Sequence, residues 1–314
     1  MLSFLEKISC IIVGIEDGLE GSIKTVGVIF GDLRTNPPRV SGEASMVQHD
    51  GTILVCGGFK NEQKCLQLDH GTWKEHSTLN QKRRYHSAVK TQTATFLFGG
   101  VGVISSRTYE YLPKGSTSWL MGKTEIPGGF FLGCASLVKS DQEIWLIGGA
   151  GSDKRILSFN VNDHTFRELA LQLNRVRIGH NCAFIPNTKK IMIAGGCSGP
   201  GEAAKDCFNS TDILDTENET ITAASPMNSV RSFHGMGVLT INGEDRLAVF
   251  GGFIGRKWLD SVETYNSQTE KWEIPDIKLD EPKLGVGFLT VKLSDIITEL
   301  QFINTASKNL RQFL

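Results

Sequence analysis

No stretch of this sequence reaches 18 consecutive apolar residues, so nothing in it reads as a transmembrane helix. Neither sign of charge is in excess: 33 basic residues stand against 34 acidic ones, a formal net charge of -1. A dedicated nucleic-acid binder carries a strong basic surplus, and this chain does not. Proline is sparse, at 9, and so is tyrosine, at 4. The seven cysteines show neither a zinc spacing nor a Cys-x-x-Cys motif. There is no Gly-x-Ser-x-Gly and no Walker loop. The opening MLSFLEKISCIIVG is a poor signal peptide, because Glu6 and Lys7 interrupt the apolar stretch and no small-residue cleavage site follows. That places the protein in the cytoplasm by default. With 40% hydrophobic residues, the chain has enough apolar side chain for a core, which excludes wholesale disorder.

Glycine is what the sequence has in quantity, 34 residues of 314. Five double glycines recur: Gly57-Gly58, Gly99-Gly100, Gly148-Gly149, Gly195-Gly196 and Gly251-Gly252, spaced 42, 49, 47 and 56 residues apart. Each ends a short β-rich run (TILVC, ATFLF, EIWLI, KIMIA, RLAVF), and another apolar run precedes it. Downstream comes a bulky residue with a partner about seven positions on: Leu66 and Trp73, Tyr111 and Trp119, Phe159 and Phe166, Leu214 and Ile221, Tyr265 and Trp272. Turn residues such as Asn162-Asp163-His164-Thr165 lie between the partners. The pattern predicts about four short strands per unit and a fixed long period. One four-stranded sheet cannot bury both faces alone, and radial packing of such sheets solves that problem.

The double glycine after a hydrophobic strand, followed by an aromatic residue and a Trp, resembles the kelch repeat. Arg-x-x-His before several units adds to the likeness: Arg83 with His86, Arg177 with His180, Arg231 with His234. The resemblance covers about residues 8–292. It implies an all-β fold, a six-bladed kelch-type β-propeller whose last blade is closed by strands from both termini. Residues 1–292 are expected to form this single domain. The sixth blade is expected to take its inner strand from 283–292 and its next two from about 8–38. The segment 293–314 is expected to be a short helix or loose tail. No BTB-like helical region is read ahead of the repeats. Trp73, Trp119 and Trp272 are expected to pack between blades, and the Arg-x-x-His residues to be partly buried and hydrogen-bonded.

The resemblance also defines what chemistry to look for. Galactose-oxidase-like propellers bind copper through tyrosines and histidines, but the seven histidines here are scattered without ligand spacing. The Glu-x-x-x-Asp-x-x-x-His iron motif of plant specifier proteins is absent. Neither a catalytic residue nor a metal or cofactor site is expected. Two readings of function follow. The first is a non-catalytic interaction propeller. The second is a metal-dependent propeller enzyme, galactose-oxidase-like or other, with an unrecognised site.

The first reading has a candidate face. In kelch-like propellers the linkers between blades lie on the same side as the loops after the double glycines. Together these segments carry a surplus of basic residues in a chain of almost no net charge. An acidic protein or acidic glycan partner is therefore expected, with Lys82, Arg83, Arg107, Arg155, Arg175, Arg256 and Lys257 as contacts. Cys134 and Cys182, at matching places in two units, are expected to be buried thiols. Cys56 with Cys65, and Cys197 with Cys207, bracket loops after double glycines and are candidates for disulfides. Two Asn-x-Ser/Thr sequons, at Asn209 and Asn218, point weakly to secretion, and an extracellular setting is expected if the N-terminus is truncated and those pairs are bridged.

Overall fold

The computed structural model describes residues 10–15, 25–30, 44–58, 62–69, 72–138, 141–151, 154–199, 206–241, 244–255, 257–283 and 287–292. The strands run as follows. The first two are β1 (Cys10–Ile15) and β2 (Thr25–Phe30). Blade 1 holds β3 (Ser45–His49), β4 (Thr52–Cys56), β5 (Lys64–Asp69) and β6 (Thr72–Thr78). Blade 2 holds β7 (Ser87–Lys90), β8 (Ala94–Phe98), β9 (Tyr109–Pro113) and β10 (Leu120–Met121). Blade 3 holds β11 (Cys134–Val138), β12 (Glu143–Ile147), β13 (Arg155–Asn160) and β14 (Phe166–Gln172). Blade 4 holds β15 (Asn181–Phe184), β16 (Lys190–Ala194), β17 (Thr211–Asp215) and β18 (Thr220–Ala224). Blade 5 is larger: β19 (Gly235–Ile241), β20 (Glu244–Phe250), β21 (Phe253–Ile254), β22 (Lys257–Asn266), β23 (Lys271–Glu273) and β24 (Lys278–Lys283). The last strand is β25 (Gly287–Lys292).

Blades 1 to 4 are antiparallel meanders from an inner to an outer strand, and blade 5 branches at β22, which pairs with β20, β21, β23 and β24. The second strands are buried along nearly their whole length, as in Ile144–Ile147 and Leu247–Phe250. That burial is why these runs are continuously apolar rather than alternating: both of their faces meet a neighbouring blade. Phe96, Phe98 and Tyr109 of blade 2 pack on Leu157 and Phe159 of blade 3. Met192 and Ala194 of blade 4 pack on Leu247, Val249 and Tyr265 of blade 5. The recurring bulky pairs stand opposite each other on third and fourth strands, Phe159 with Phe166, Leu214 with Ile221 and Tyr265 with Trp272. In blade 1 the partner of Trp73 is Leu68 rather than Leu66. Trp73, Trp119 and Trp272 are all buried, and Trp119 joins a cluster shared by blades 1 and 2.

Among the described residues the fold is an all-β propeller with five blades, not six. Strand β25 lies between the inner strands β19 and β3, so it occupies the place of a sixth inner strand. Among the described residues its sheet, ordered β2-β1-β25, has three strands, and β25 pairs with β1 in parallel. Blades 1 to 4 are antiparallel throughout, so among the described residues the two ends meet without forming a blade of that kind. Lys283 belongs to β24, on blade 5, and not to the closing strand. The 293–314 segment lies outside the described residues.

Three disulfides cross this frame. Cys56–Cys65 joins adjacent strands of blade 1, and Cys197–Cys207 joins the two ends of the loop after the fourth double glycine. Cys134–Cys182 was expected as two separate thiols. The structure instead bonds them across the inner strands of blades 3 and 4, with Cα atoms 5.9 Å apart. Matching positions on neighbouring inner strands face each other around the ring, which brings the pair within bonding reach.

Two outcomes are expected. Thiol titration of denatured, unreduced protein should find one free thiol, Cys10, and seven only after reduction. A chain truncated before Gly287 should lose its ring closure and unfold at a clearly lower temperature in a single transition. A melting temperature unchanged within about 2 °C, on the scale of the 2–4 °C that about 1 kcal/mol shifts a larger domain, would argue against a closing role.

Candidate partner-binding face

The linkers entering blades 2, 4 and 5 share one construction. Arg83, Arg177 and Arg231 are fully buried, at 0%, 1% and 0% exposure. Each is ion-paired to an acid on the third strand of its blade: Arg83 Nε to Glu110 at 2.9 Å, Arg177 to Asp212 at 2.8 Å and Arg231 to Glu263 at 2.7 Å. Each also donates to the carbonyl of the first glycine of its blade's pair, Gly99, Gly195 and Gly251. The acids bind the linker in return. Glu110 accepts from the backbone of Asn80 and Gln81, and Glu263 from that of Asn228 and Ser229. A buried charge is tolerable only when paired and hydrogen-bonded, and these are both. An Asn three residues before each arginine (Asn80, Asn174, Asn228) bonds the same acid through its side chain. The sequence reading missed that asparagine, although its fixed offset is visible in the chain.

The histidine of each motif points back into the preceding blade. A Cβ on Gly57 would overlap the Arg83 carbonyl oxygen and lie 2.8 Å from His86 Cε1, and Gly195 stands in the same relation to Arg231 and His234. The first glycine of the pair is therefore required by the next blade's linker. His86 Nε2 lies 2.6 Å from Ser45 Oγ, and His180 Nε2 lies 3.0 Å from the Ile147 carbonyl. Burial, then the adjacent arginine, pushes the imidazoles of His86 and His180 down to about 3. The same two causes hold His234 well below its ordinary range. All three are neutral. They occupy separate seams, and among the described residues no three His, Cys, Asp or Glu side chains gather with metal-ligand spacing.

Blade 3 departs from this scheme. Phe130 and Gly133 stand where the other linkers carry Arg and His, and Leu157 stands where they carry an acid. Phe130 and Leu157 share one buried cluster, so an apolar pair replaces the ion pair at this seam.

Between arginine and histidine, one residue per linker adopts a left-handed backbone: Tyr85 (φ 56), Leu132 (φ 57), Gly179 (φ 66) and Phe233 (φ 52). Their backbones bond in series, with Leu132 N donating to Tyr85 O, Gly179 N to Leu132 O and Phe233 N to Gly179 O. Tyr85 of blade 2 and Phe233 of blade 5 then meet with ring centroids 5.8 Å apart. Those blades are not neighbours, so the two rings span the middle of the propeller.

The loops after the double glycines bond directly to these linkers, as Gly58 N to Arg83 O and Val101 N to Arg84 O, which fixes both on one face. A cleft of about 510 Å³ opens there between blades 1 and 2, lined by Glu62, Gln81, Lys82, Arg84, Val103 and Ile104. Val103 and Ile104 are strongly exposed, at 91% and 64%. Of the expected contacts, Lys82, Arg107, Arg175 and Lys257 are exposed. Lys82 and Arg107 reach their acids only at 3.8 and 3.9 Å, and Arg175 lies over the Phe208 ring. Arg83 is not a surface residue, and its assignment as a contact is corrected: its charge is spent inside the linker. Arg155 is also engaged, donating to Gly151 O. Arg256 lies outside the described residues. Charge counting also passed over the apolar tip, Val103-Ile104.

The kelch motif family matches residues 232–275. A kelch repeat-containing protein of Dictyostelium discoideum is 26% identical over 159 residues, which is 49% of this chain and 23% of that protein. The match thus spans about a quarter of the relative's length. The solved structure of YjhT superposes with a TM-score of 0.64 at 13% identity, covering 78% of this chain and 86% of that one, a likeness of fold.

Two expectations follow from the linkers. Arg231→Met leaves Glu263 buried without its counter-ion and should cost about 3–5 kcal/mol, whereas Arg231→Met with Glu263→Leu should recover only part of the loss, because the Asn228 and Ser229 amides and the Gly251 carbonyl then lack their partners. Chemical denaturation of both variants checks this, and equal losses would contradict it. The histidines predict an acid dependence. Their folded-state pKa lies below the unfolded value near 6.5, so the unfolded chain binds the extra protons. Their stabilisation is complete above about pH 6.5 and is lost as pH falls toward 3. Replacing His180 by Gln should flatten the pH slope of unfolding free energy in that window by up to about 1.4 kcal/mol per pH unit.

Proposed function

We propose that this β-propeller, similar to kelch-repeat proteins, is a non-catalytic interaction module whose loop-bearing face takes an acidic partner. The observation that carries this reading is the cleft between blades 1 and 2, where exposed Lys82 faces an exposed apolar tip, Val103-Ile104, with exposed Arg107 three residues beyond that tip. Exposed ion pairs as long as those of Lys82 and Arg107 contribute little, so these side chains stay available to a partner. The apolar tip supplies area that is removed from water on binding, and the cations supply orientation and association rate. A Glu/Asp-rich peptide segment with an apolar residue next to its acids fits both. The buried clamps hold the linkers beneath the cleft in place, so a partner meets a preformed surface.

The test uses a fluorescein-labelled peptide alternating Glu with Leu. Lys82→Glu with Arg107→Glu should weaken binding at least about tenfold, equivalent to about 1.4 kcal/mol. Ile104→Ser should weaken it independently, and added salt should weaken binding of the unmutated protein. Binding that ignores charge reversal and salt alike would remove the acidic partner. Arg83 is excluded from the test set because its replacement acts on folding.

A further inference from the structure

Two Asn-x-Ser/Thr sequons lie in blade 4, and the fold treats them in opposite ways. Asn209 is committed: its Nδ2 donates to the Met227 carbonyl at 2.9 Å, and its own carbonyl accepts from Met227 N at 2.8 Å. The rest of that sequon is equally engaged. Ser210 Oγ accepts from Arg177 at 3.0 Å, and Thr211, only 1% exposed, donates to the Ser225 carbonyl. A glycan on Asn209 would break the bond that ties the start of β17 to the linker leaving β18.

Asn218 is the reverse. It sits in the turn joining β17 to β18, and Asn218, Glu219 and Thr220 are all exposed. The turn is shaped by Asp215, whose Oδ1 accepts from the backbone of Glu217 and Asn218, and by a left-handed Glu219 (φ 51). Asn218 Nδ2 makes one exposed contact, 3.1 Å to Asp215 Oδ2. Such a contact exchanges readily with water. The turn also lies at the end of β17 remote from the double-glycine loops, so a large substituent there would leave the cleft clear.

A second observation points to the compartment this chemistry requires. Six of the seven cysteines are paired, and one pair staples two blades. Several structural disulfides in one domain persist in an oxidising compartment and are rare where thiols are kept reduced. From these two observations we propose that Asn218 is an N-glycosylation site and that Asn209 is not. The donor is an oligosaccharide joined to a polyisoprenoid lipid through a pyrophosphate. Asn218 Nδ2 attacks the anomeric carbon, and an N–C bond forms as the carbon–oxygen bond to pyrophosphate breaks. The lipid pyrophosphate leaves, and the amide proton passes to a base of the transferase. No electrons are exchanged.

The experiment is secretion of the full chain, behind a cleavable signal sequence, from a eukaryotic cell line. Intact mass and peptide mapping after enzymatic deglycosylation in ¹⁸O water follow. The expected result is one glycan, marked by isotopic conversion at residue 218 alone. Asn218→Gln and Thr220→Ala should each abolish the mass shift without changing the melting temperature. Three results overturn the proposal: secreted folded protein with Asn218 unmodified, modification at Asn209, or protein that reaches its native fold only with its cysteines reduced. None of these bears on peptide binding at the opposite face, so the two readings fail separately.

Discussion

The buried arginine of the inter-blade linker is the interaction on which this propeller's regular seams depend. It carries a full charge into a fully desolvated position and is held there by a carboxylate and by backbone carbonyls of the same blade. That side chain satisfies carbonyls at the end of the second strand and just ahead of the third, and the acid it holds satisfies the linker's amides. These groups lie where strands turn, so the sheet ladder does not pair all of them. A blade lacking such a clamp would bury unpaired polar groups, at about 1–3 kcal/mol each.

The double glycine follows from that arrangement. Its first member lies under the next blade's linker carbonyl at Gly57, Gly99 and Gly195, and against the next blade's histidine at Gly57, Gly148 and Gly195. Any side chain would separate the blades. Its second member donates its amide to that same linker, as Gly149 does to Arg177 and Gly196 to Arg231. Arginine, histidine and glycine pair are therefore one device split between consecutive repeats. Blade 3 shows that the device can be exchanged for a wholly apolar one, provided that both members of the ion pair change together. Cys134–Cys182 adds a covalent tie from that blade to the next.

Much of this was legible in the chain. The period, the five double glycines and the Arg-x-x-His strings mark the blades, because each reports a contact that recurs at fixed sequence distance. The burial of Trp73, Trp119 and Trp272 was legible for the same reason. The acids Glu110, Asp212 and Glu263 were harder to see. They sit at varying distances from their arginines, since the loops after the glycines differ in length. Arg83 was misplaced on the surface because a count of charges along a loop cannot tell which guanidinium turns inward. The tip Val103-Ile104 was overlooked because apolar residues in a strand-rich sequence look like core until the loop is seen to project.

The sequence by itself determined the repeat unit, since alternating apolar runs, glycine pairs and turn residues act locally, within one blade and its linker. Only the tertiary structure decided the relations between distant segments. The closing sheet came out three-stranded with a parallel β1–β25 pair, because two chain ends meet there without a hairpin to fix antiparallel register. Cys134 found Cys182, 48 residues away, because ring packing sets matching inner-strand positions side by side. Tyr85 met Phe233 across the centre because the ring brings non-adjacent blades together. One of two identical sequon motifs was left exposed and the other locked, because an asparagine's surroundings depend on which end of a blade it occupies.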